Sequence, residues 1–180
     1  IAFWQAWRAH VKKINPDAYI SGEIWDRADG YLKGDAFDAV MNYEFSKPAI
    51  EWIGNRTKRI KASELDSRLG ALRVAYPVEA HYAMMNLLDS HDTERLLWTL
   101  TPGPETTAGR EGTPANVADG KLRVRLASLI QFTVPGAPTV YYGDEVLWGA
   151  LWRAESEWLP FLALVLVLVF WRAGLYGERE

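Results

Sequence analysis

The chain contains no cysteine. That excludes disulfides, thiolate metal sites and a cysteine nucleophile, and it leaves the redox compartment open. Histidine is scarce as well: His10, His81 and His91 are the whole supply, and no two of them share the spacing of a helical zinc pair, so no dedicated metal site is read. Charge of one sign is also missing. A formal net charge of −3 over 180 residues gives no electrostatic reason for nucleic acid or an anionic membrane as partner. The uncharged run from Trp158 to Trp171 falls short of the roughly 20 residues that span a bilayer, which argues against a membrane anchor. Neither a phosphate-binding glycine loop nor an internal repeat occurs. The opening residues Ile1-Ala2-Phe3-Trp4-Gln5 have no start Met and no basic segment, so no signal peptide is read there. They look like the middle of a helix in something longer. The compartment stays open, with the cytoplasm favoured.

What is present is an ordinary globular composition with a heavy aromatic load. Hydrophobic residues make up 49% and charged residues 24%, enough for one packed domain. Nine Trp and eight Tyr can serve the core, or can stack on flat, partly apolar ligands such as sugars or bases.

Read in order, the chain alternates. Ile1 to Ile14 places Phe3, Trp4, Trp7, Val11 and Ile14 on one side of a helix that Asn15-Pro16 ends. Ala18 to Trp25 reads as a buried strand that delivers Glu23 to its carboxyl tip. Ala36 to Tyr43 is a second strand, ending in Asn42 and Tyr43. Ser46 is expected to cap the next helix, with Ala49, Ile50, Trp52 and Ile53 inward. Ser63-Glu64-Leu65-Asp66 resembles a capping box, opening a helix that runs to Tyr76-Pro77. Ala83 to Leu88 is a third strand, followed by Asp89-Ser90-His91-Asp92 and a helix starting near Thr93. Residues 101–120 read as a surface loop, Lys121 to Phe132 as a helix with Leu122, Leu126, Leu129 and Ile130 inward, and Gly136 to Glu145 as a fourth strand.

Helices alternating with strands imply a parallel sheet with right-handed crossovers. Functional-looking groups at three strand tips (Glu23, Asn42-Tyr43, His91-Asp92) are the habit of (β/α)8 barrels. The fold class expected is therefore α/β, as part of such a barrel. Four strands of eight would leave two sheet edges and one broad apolar face open, so the chain alone is expected to pair, aggregate or fold poorly.

Glu23 and Asp92 are the acid candidates. Two carboxylates in unlike surroundings can divide labour, one protonated as general acid and one ionised. Glycoside hydrolysis makes that demand, because its oxocarbenium-like transition state needs a proton for the leaving oxygen and negative charge near the ring. Trp25 could stack on a sugar and His91 could bond its hydroxyls. Each carboxylate taken alone could equally be a cap or ion-pair residue.

Gly22-Glu23-Ile24-Trp25, Asp38-Ala39-Val40-Met41-Asn42-Tyr43, Asn86-Leu87-Leu88-Asp89-Ser90-His91-Asp92-Thr93 and Pro138-Thr139-Val140-Tyr141-Tyr142-Gly143-Asp144-Glu145 resemble the second half of the catalytic barrel of the α-amylase superfamily. The likeness is to its neopullulanase, cyclomaltodextrinase and maltogenic amylase branch. It covers about residues 1–146, or roughly helix 4 to strand 8 of the TIM barrel. The resemblance implies a retaining α-glucan hydrolase or transglycosylase acting on α-1,4 or α-1,6 bonds of starch-like oligosaccharides. It makes Glu23 the general acid/base and Asp92 the stabiliser of the transition state. His91, Trp25, Asn42 and Tyr43 become substrate-side residues, and Tyr141 to Glu145 mainly structural ones.

Two departures from the family pattern follow. The nucleophilic Asp, expected in an Arg-x-Asp motif upstream of the first helix, is absent, so this stretch alone is expected to be inactive and to need the missing N-terminal half as partner. From residue 147 the pattern breaks into a hydrophobic tail, 147–180, of the kind a frame shift or a fused foreign end produces. Some superfamily members bind calcium, but no calcium ligands are identifiable here and no cofactor is expected. The alternative reading is a non-catalytic carbohydrate-binding or interaction module derived from the same barrel.

Overall fold

The computed structural model describes residues 1–55, 58–103 and 113–146. The tail at 147–180 and its apolar run lie outside them, as do residues 104–112 of the loop expected at 101–120. No helix among the described residues is long and apolar enough to cross a membrane.

The element order is α1 (Ala2–Ile14), β1 (Ser21–Gly22), β2 (Ala39–Val40), α2 (Tyr43–Ile53), α3 (Ala62–Ala75), α4 (Val78–Ala83), β3 (Met85–Leu87), α5 (Leu96–Leu100), α6 (Pro114–Thr133) and β4 (Ala137–Thr139), with a 3-10 turn at Asp144–Val146. The strands are cores of two or three residues within the longer runs read from sequence. All pairings are parallel: Ser21 with Ala39 and Gly22 with Val40 in one sheet, Met85 with Ala137, Asn86 with Pro138 and Leu87 with Thr139 in the other. Among the described residues a single bridge, Met41 with Met85, joins the two sheets. Parallel strands cannot be closed by tight turns, so helices make the crossovers.

Two apolar clusters flank this array. Ile20, Leu32, Phe37, Val40, Leu72 and Met84 form one, and Phe45, Ala49, Leu88, Leu96, Leu100 and Val124 belong to the other. Each fully buried side chain of this size contributes about 1.5–3 kcal/mol.

Several local expectations are corrected. Ser46 does not cap α2: Asn42 does, its side chain accepting from the Phe45 N–H, while the Ser46 hydroxyl donates to Leu88 O at 3.0 Å. An Asx acceptor just ahead of the first turn outcompetes a Ser already inside the helix. The expected capping box at Ser63 is unused, because α3 starts at Ala62 after Lys61, which gives no side-chain cap. The short helix α4 precedes β3 where sequence gave no periodic signal. Helix α6 begins seven residues before Lys121, at Pro114, with Thr113 accepting from the Asn116 N–H.

The inward face of α6 is also not the leucine face. Gly120, Val124, Ala127 and Gln131 are buried, whereas Leu122, Leu126 and Leu129 are exposed. Close approach selects the small residues: a Cβ on Gly120 would stand 2.4 Å from Thr101 Oγ1. On α1, Phe3 and Ile14 are likewise open, at 68% and 74% exposed, while Val11 packs against the first cluster and Trp4 meets Phe37.

Candidate active site

Each functional side chain follows a strand or opens a helix. Glu23 comes directly after β1, Tyr43 is the first residue of α2 after β2, and Ser90, His91 and Asp92 follow β3. In a parallel sheet these positions all lie at the carboxyl ends of the strands, so residues 69 apart in sequence meet.

Among the described residues, one set of three carboxylate and imidazole side chains converges: single atoms from Glu23, His91 and Asp92 lie within 4.8 Å of one another, and all three residues are exposed. His91 Nε2 stands 3.4 Å from Asp92 Oδ2. One imidazole and two exposed carboxylates match poorly the all-oxygen shell of six to eight ligands that calcium takes.

Tyr43 organises the set from below. Its hydroxyl donates to Glu23 Oε1 at 3.2 Å and lies 3.0 Å from Ser90 Oγ. Ser90 Oγ accepts the Asp92 N–H at 3.2 Å, and the Ser90 N–H donates to Thr93 Oγ1 at 2.7 Å. One hydroxyl pair thus connects the acid after β1 to the backbone of the acid after β3. Burial raises the Tyr43 phenol above its ordinary value; the Ser90 hydrogen bond opposes this, and the charges of Glu23 and Asp92 add to it. Tyr43 therefore remains a neutral donor at physiological pH.

The aromatic side of the site is a stack. Trp25 lies parallel to Tyr43, with ring centroids 3.9 Å apart and an 8° interplanar angle. Trp25 keeps 40% of its surface in solvent. Lys47 reaches over from α2 and donates to Trp25 O at 3.3 Å.

Asn42 is placed lower than the other expected residues. It is buried, its Oδ1 capping α2 and its Nδ2 donating to Asn86 Oδ1 at 2.8 Å. Both ends of the amide are committed, so Asn42 supports the cluster from beneath. Ser90 was not read from the sequence. A small hydroxyl between Asp89 and His91 carries no periodic signal, and its role depends on the Tyr43 hydroxyl arriving from another strand.

The alpha-amylase catalytic-domain family model matches residues 1–159. The chain is 43% identical to neopullulanase 2 of Thermoactinomyces vulgaris over 145 residues, covering 81% of this chain and 22% of that protein. It is 42% identical to a cyclomaltodextrinase of a Bacillus species, with coverage of 80% and 22%. Among solved structures, the cyclic alpha-maltosyl-(1→6)-maltose hydrolase of Arthrobacter globiformis superposes with a TM-score of 0.66 at 34% identity, covering 81% of this chain and 29% of that one. The chain spans about a fifth of the length of the curated relatives it matches. Its structural neighbours are barrel enzymes, and its relatives are glycoside hydrolases of α-glucans. A match over most of the chain, together with a strand-end cluster of Glu23, His91 and Asp92, makes this chain a member of the α-amylase catalytic-domain family.

Proposed function

We propose that this chain forms the section of a retaining α-glucan hydrolase or transglycosylase, about helix 4 to strand 8 of its barrel, that carries the general acid/base and the transition-state stabiliser. Glu23 is the acid/base: it protonates the leaving glycosidic oxygen and then activates water, or a sugar hydroxyl in transglycosylation. Asp92 remains ionised near the ring, where positive charge develops. The nucleophilic Asp comes from an Arg-x-Asp motif in upstream sequence and forms the covalent glycosyl intermediate. His91 bonds the hydroxyls of the same sugar, and the free face of Trp25 carries the sugar on the leaving-group side. Substrates are starch-like oligosaccharides with α-1,4 or α-1,6 bonds.

The observation that carries this reading is the convergence of Glu23, His91 and Asp92 within 4.8 Å at the carboxyl ends of two strands. The Tyr43 hydroxyl fixes one oxygen of Glu23 and leaves the other for a leaving group.

The test uses the polypeptide extended upstream to include the Arg-x-Asp motif. Glu23→Gln should lower hydrolysis of maltooligosaccharides by about 10²–10⁴-fold. The loss should shrink for an aryl glycoside whose leaving group needs no proton. Equal loss on both substrates would overturn the acid assignment, and full activity of the variant would overturn the reading as a whole. Sugar binding without any turnover in the extended protein would favour the carbohydrate-binding module instead.

A further inference from the structure

We propose that Asp144 is a positioning residue: its protonated carboxyl donates to Asp89 Oδ1 and so fastens the turn after β4 beneath the loop that carries His91 and Asp92. Asp89 is 3% exposed. Its Oδ2 accepts the Leu96 N–H at 2.9 Å, which supplies the cap that the side chain of Arg95, just ahead of α5, does not. Its Oδ1 is buried and meets no conventional donor. A buried carboxylate oxygen left without a partner is costly.

The side chain of Asp144, another carboxyl group, bears on Asp89 from the turn after β4, and no other donor among the described residues reaches the buried Oδ1. Two carboxylates in contact cannot both ionise cheaply, and one proton between them removes the repulsion while supplying the missing donor. Asp89 Oδ2 is already committed to the Leu96 N–H, so Asp144 is the partner placed to carry the proton. In keeping with this, burial first and then Asp89 push the Asp144 carboxyl up to about 8.

The other charged groups bearing on Asp144 are Arg95 and Glu145. Glu145 adds negative charge and raises it further, while Arg95 pulls the other way. The Arg95 guanidinium is engaged elsewhere: it lies 4.7 Å from the Tyr141 ring centroid and 4.3 Å from that of Tyr142, and it donates to Tyr142 O at 2.5 Å. Glu145 accepts the Gly143 N–H at 2.8 Å. Tyr141 is a further titratable group in this network, with Tyr142, Arg95 and Asp89 bearing on its phenol.

Asp89 stands three residues before Asp92, and the loop between them is braced by Ser90 and Thr93. Loss of the shared proton puts two repelling carboxylates under that loop. The catalytic consequence, an alkaline fall in turnover, rests on the proposed role of Asp92; the proton sharing itself does not.

The test is a carboxyl titration of the whole chain by NMR with ¹³C-labelled Asp, from about pH 4 to about pH 10, with a chelator present, alongside urea unfolding at each pH. One Asp carboxyl should titrate near pH 8, should vanish in Asp144→Asn, and should persist in Glu23→Gln. The stability of the wild-type chain should decline between about pH 4 and pH 8. Asp144→Asn keeps an N–H donor toward Asp89 and should lose that decline. Titration of every Asp in the ordinary carboxylate range overturns the proposal, as does survival of the titration near pH 8 in Asp144→Asn. If Asp144→Asn does not fold, the wild-type titration alone decides. In the upstream-extended polypeptide, a Glu23→Gln variant that stays fully active while the pH 8 titration is present sinks the acid/base reading and leaves this one standing.

Discussion

The Tyr43 hydroxyl donates to Glu23 Oε1 at 3.2 Å while the Tyr43 ring lies flat on Trp25 at 3.9 Å. One residue, fixed at the first turn of α2 by the Asn42 cap, therefore positions both an acid and an aromatic platform. The two contacts are chemically separable.

Tyr43→Phe removes the donor and keeps the stack. It should cost about 1 kcal/mol of stability, the usual worth of one hydrogen bond. Tyr43→Ala removes both contacts and leaves a cavity, and should cost about 3–5 kcal/mol. Urea unfolding measures both variants; equal losses would show that the hydroxyl carries the whole effect.

Gln131 is a polar residue on the buried face of α6, and its Nε2 donates to Asn86 O at 2.8 Å and to Thr139 O at 2.9 Å. It spans β3 and β4 from the helix side. Gln131→Leu leaves two carbonyls without this donor and should destabilise the chain by about 1–3 kcal/mol despite added apolar volume. Amide exchange around 137–139 should quicken in the same variant, and unchanged exchange there would contradict the spanning role.

Gly120→Ala tests close packing against helix propensity. Alanine gains about 1 kcal/mol in a helix interior. Here its Cβ would stand 2.4 Å from Thr101 Oγ1 and 3.1 Å from Thr101 Cα. Overpacking of this kind costs about 1–3 kcal/mol, so the net change should be destabilising. A rise in thermal midpoint would show that α5 and α6 part without penalty.

Asp38 sets an acid limit. Burial raises its carboxyl, but the hydrogen bonds from Arg8, the Ile20 N–H and Lys12 outweigh burial and hold it below the ordinary 3.8. Arg8 lies 2.7 Å away and Lys12 3.2 Å away, so the pair ties α1 to the start of β2. A carboxylate depressed by folding stabilises above its unfolded pKa, and that contribution is lost as pH falls through the folded value. Stability should therefore drop below about pH 4, and Asp38→Asn should flatten that acid limb. An unchanged acid limb in the variant would assign the effect to other carboxylates.

The sequence made the strand positions readable because apolar runs punctuated by polar residues mark where a parallel strand ends. Glu23, His91 and Asp92 stood out for the same reason, each just past such a run. Helix limits were harder. Asn42 took the capping role from Ser46, and Thr113 opened α6 inside a stretch rich in Gly, Pro and Thr, because a cap depends on local backbone angles rather than on composition. The buried face of α6 was misread since hydrophobicity favours Leu122, Leu126 and Leu129, whereas the tight approach to Thr101 favours Gly120 and its small neighbours. The bonds from Tyr43 to Glu23 and between Asp89 and Asp144 join residues from different strands. No spacing rule along the chain can reveal them.

The single Met41–Met85 bridge has a mechanical meaning. Glu23 hangs from one two-stranded ribbon and His91 and Asp92 from the other, so the gap between the acids is governed by the thinnest joint in the sheet. The Asn42–Asn86 amide pair spans that joint as a side-chain rung in place of a longer backbone ladder. With the Tyr43 hydroxyl bonded to Glu23 on one ribbon and to Ser90 on the other, the spacing of the acids is inherited from a seam held more by side chains than by backbone.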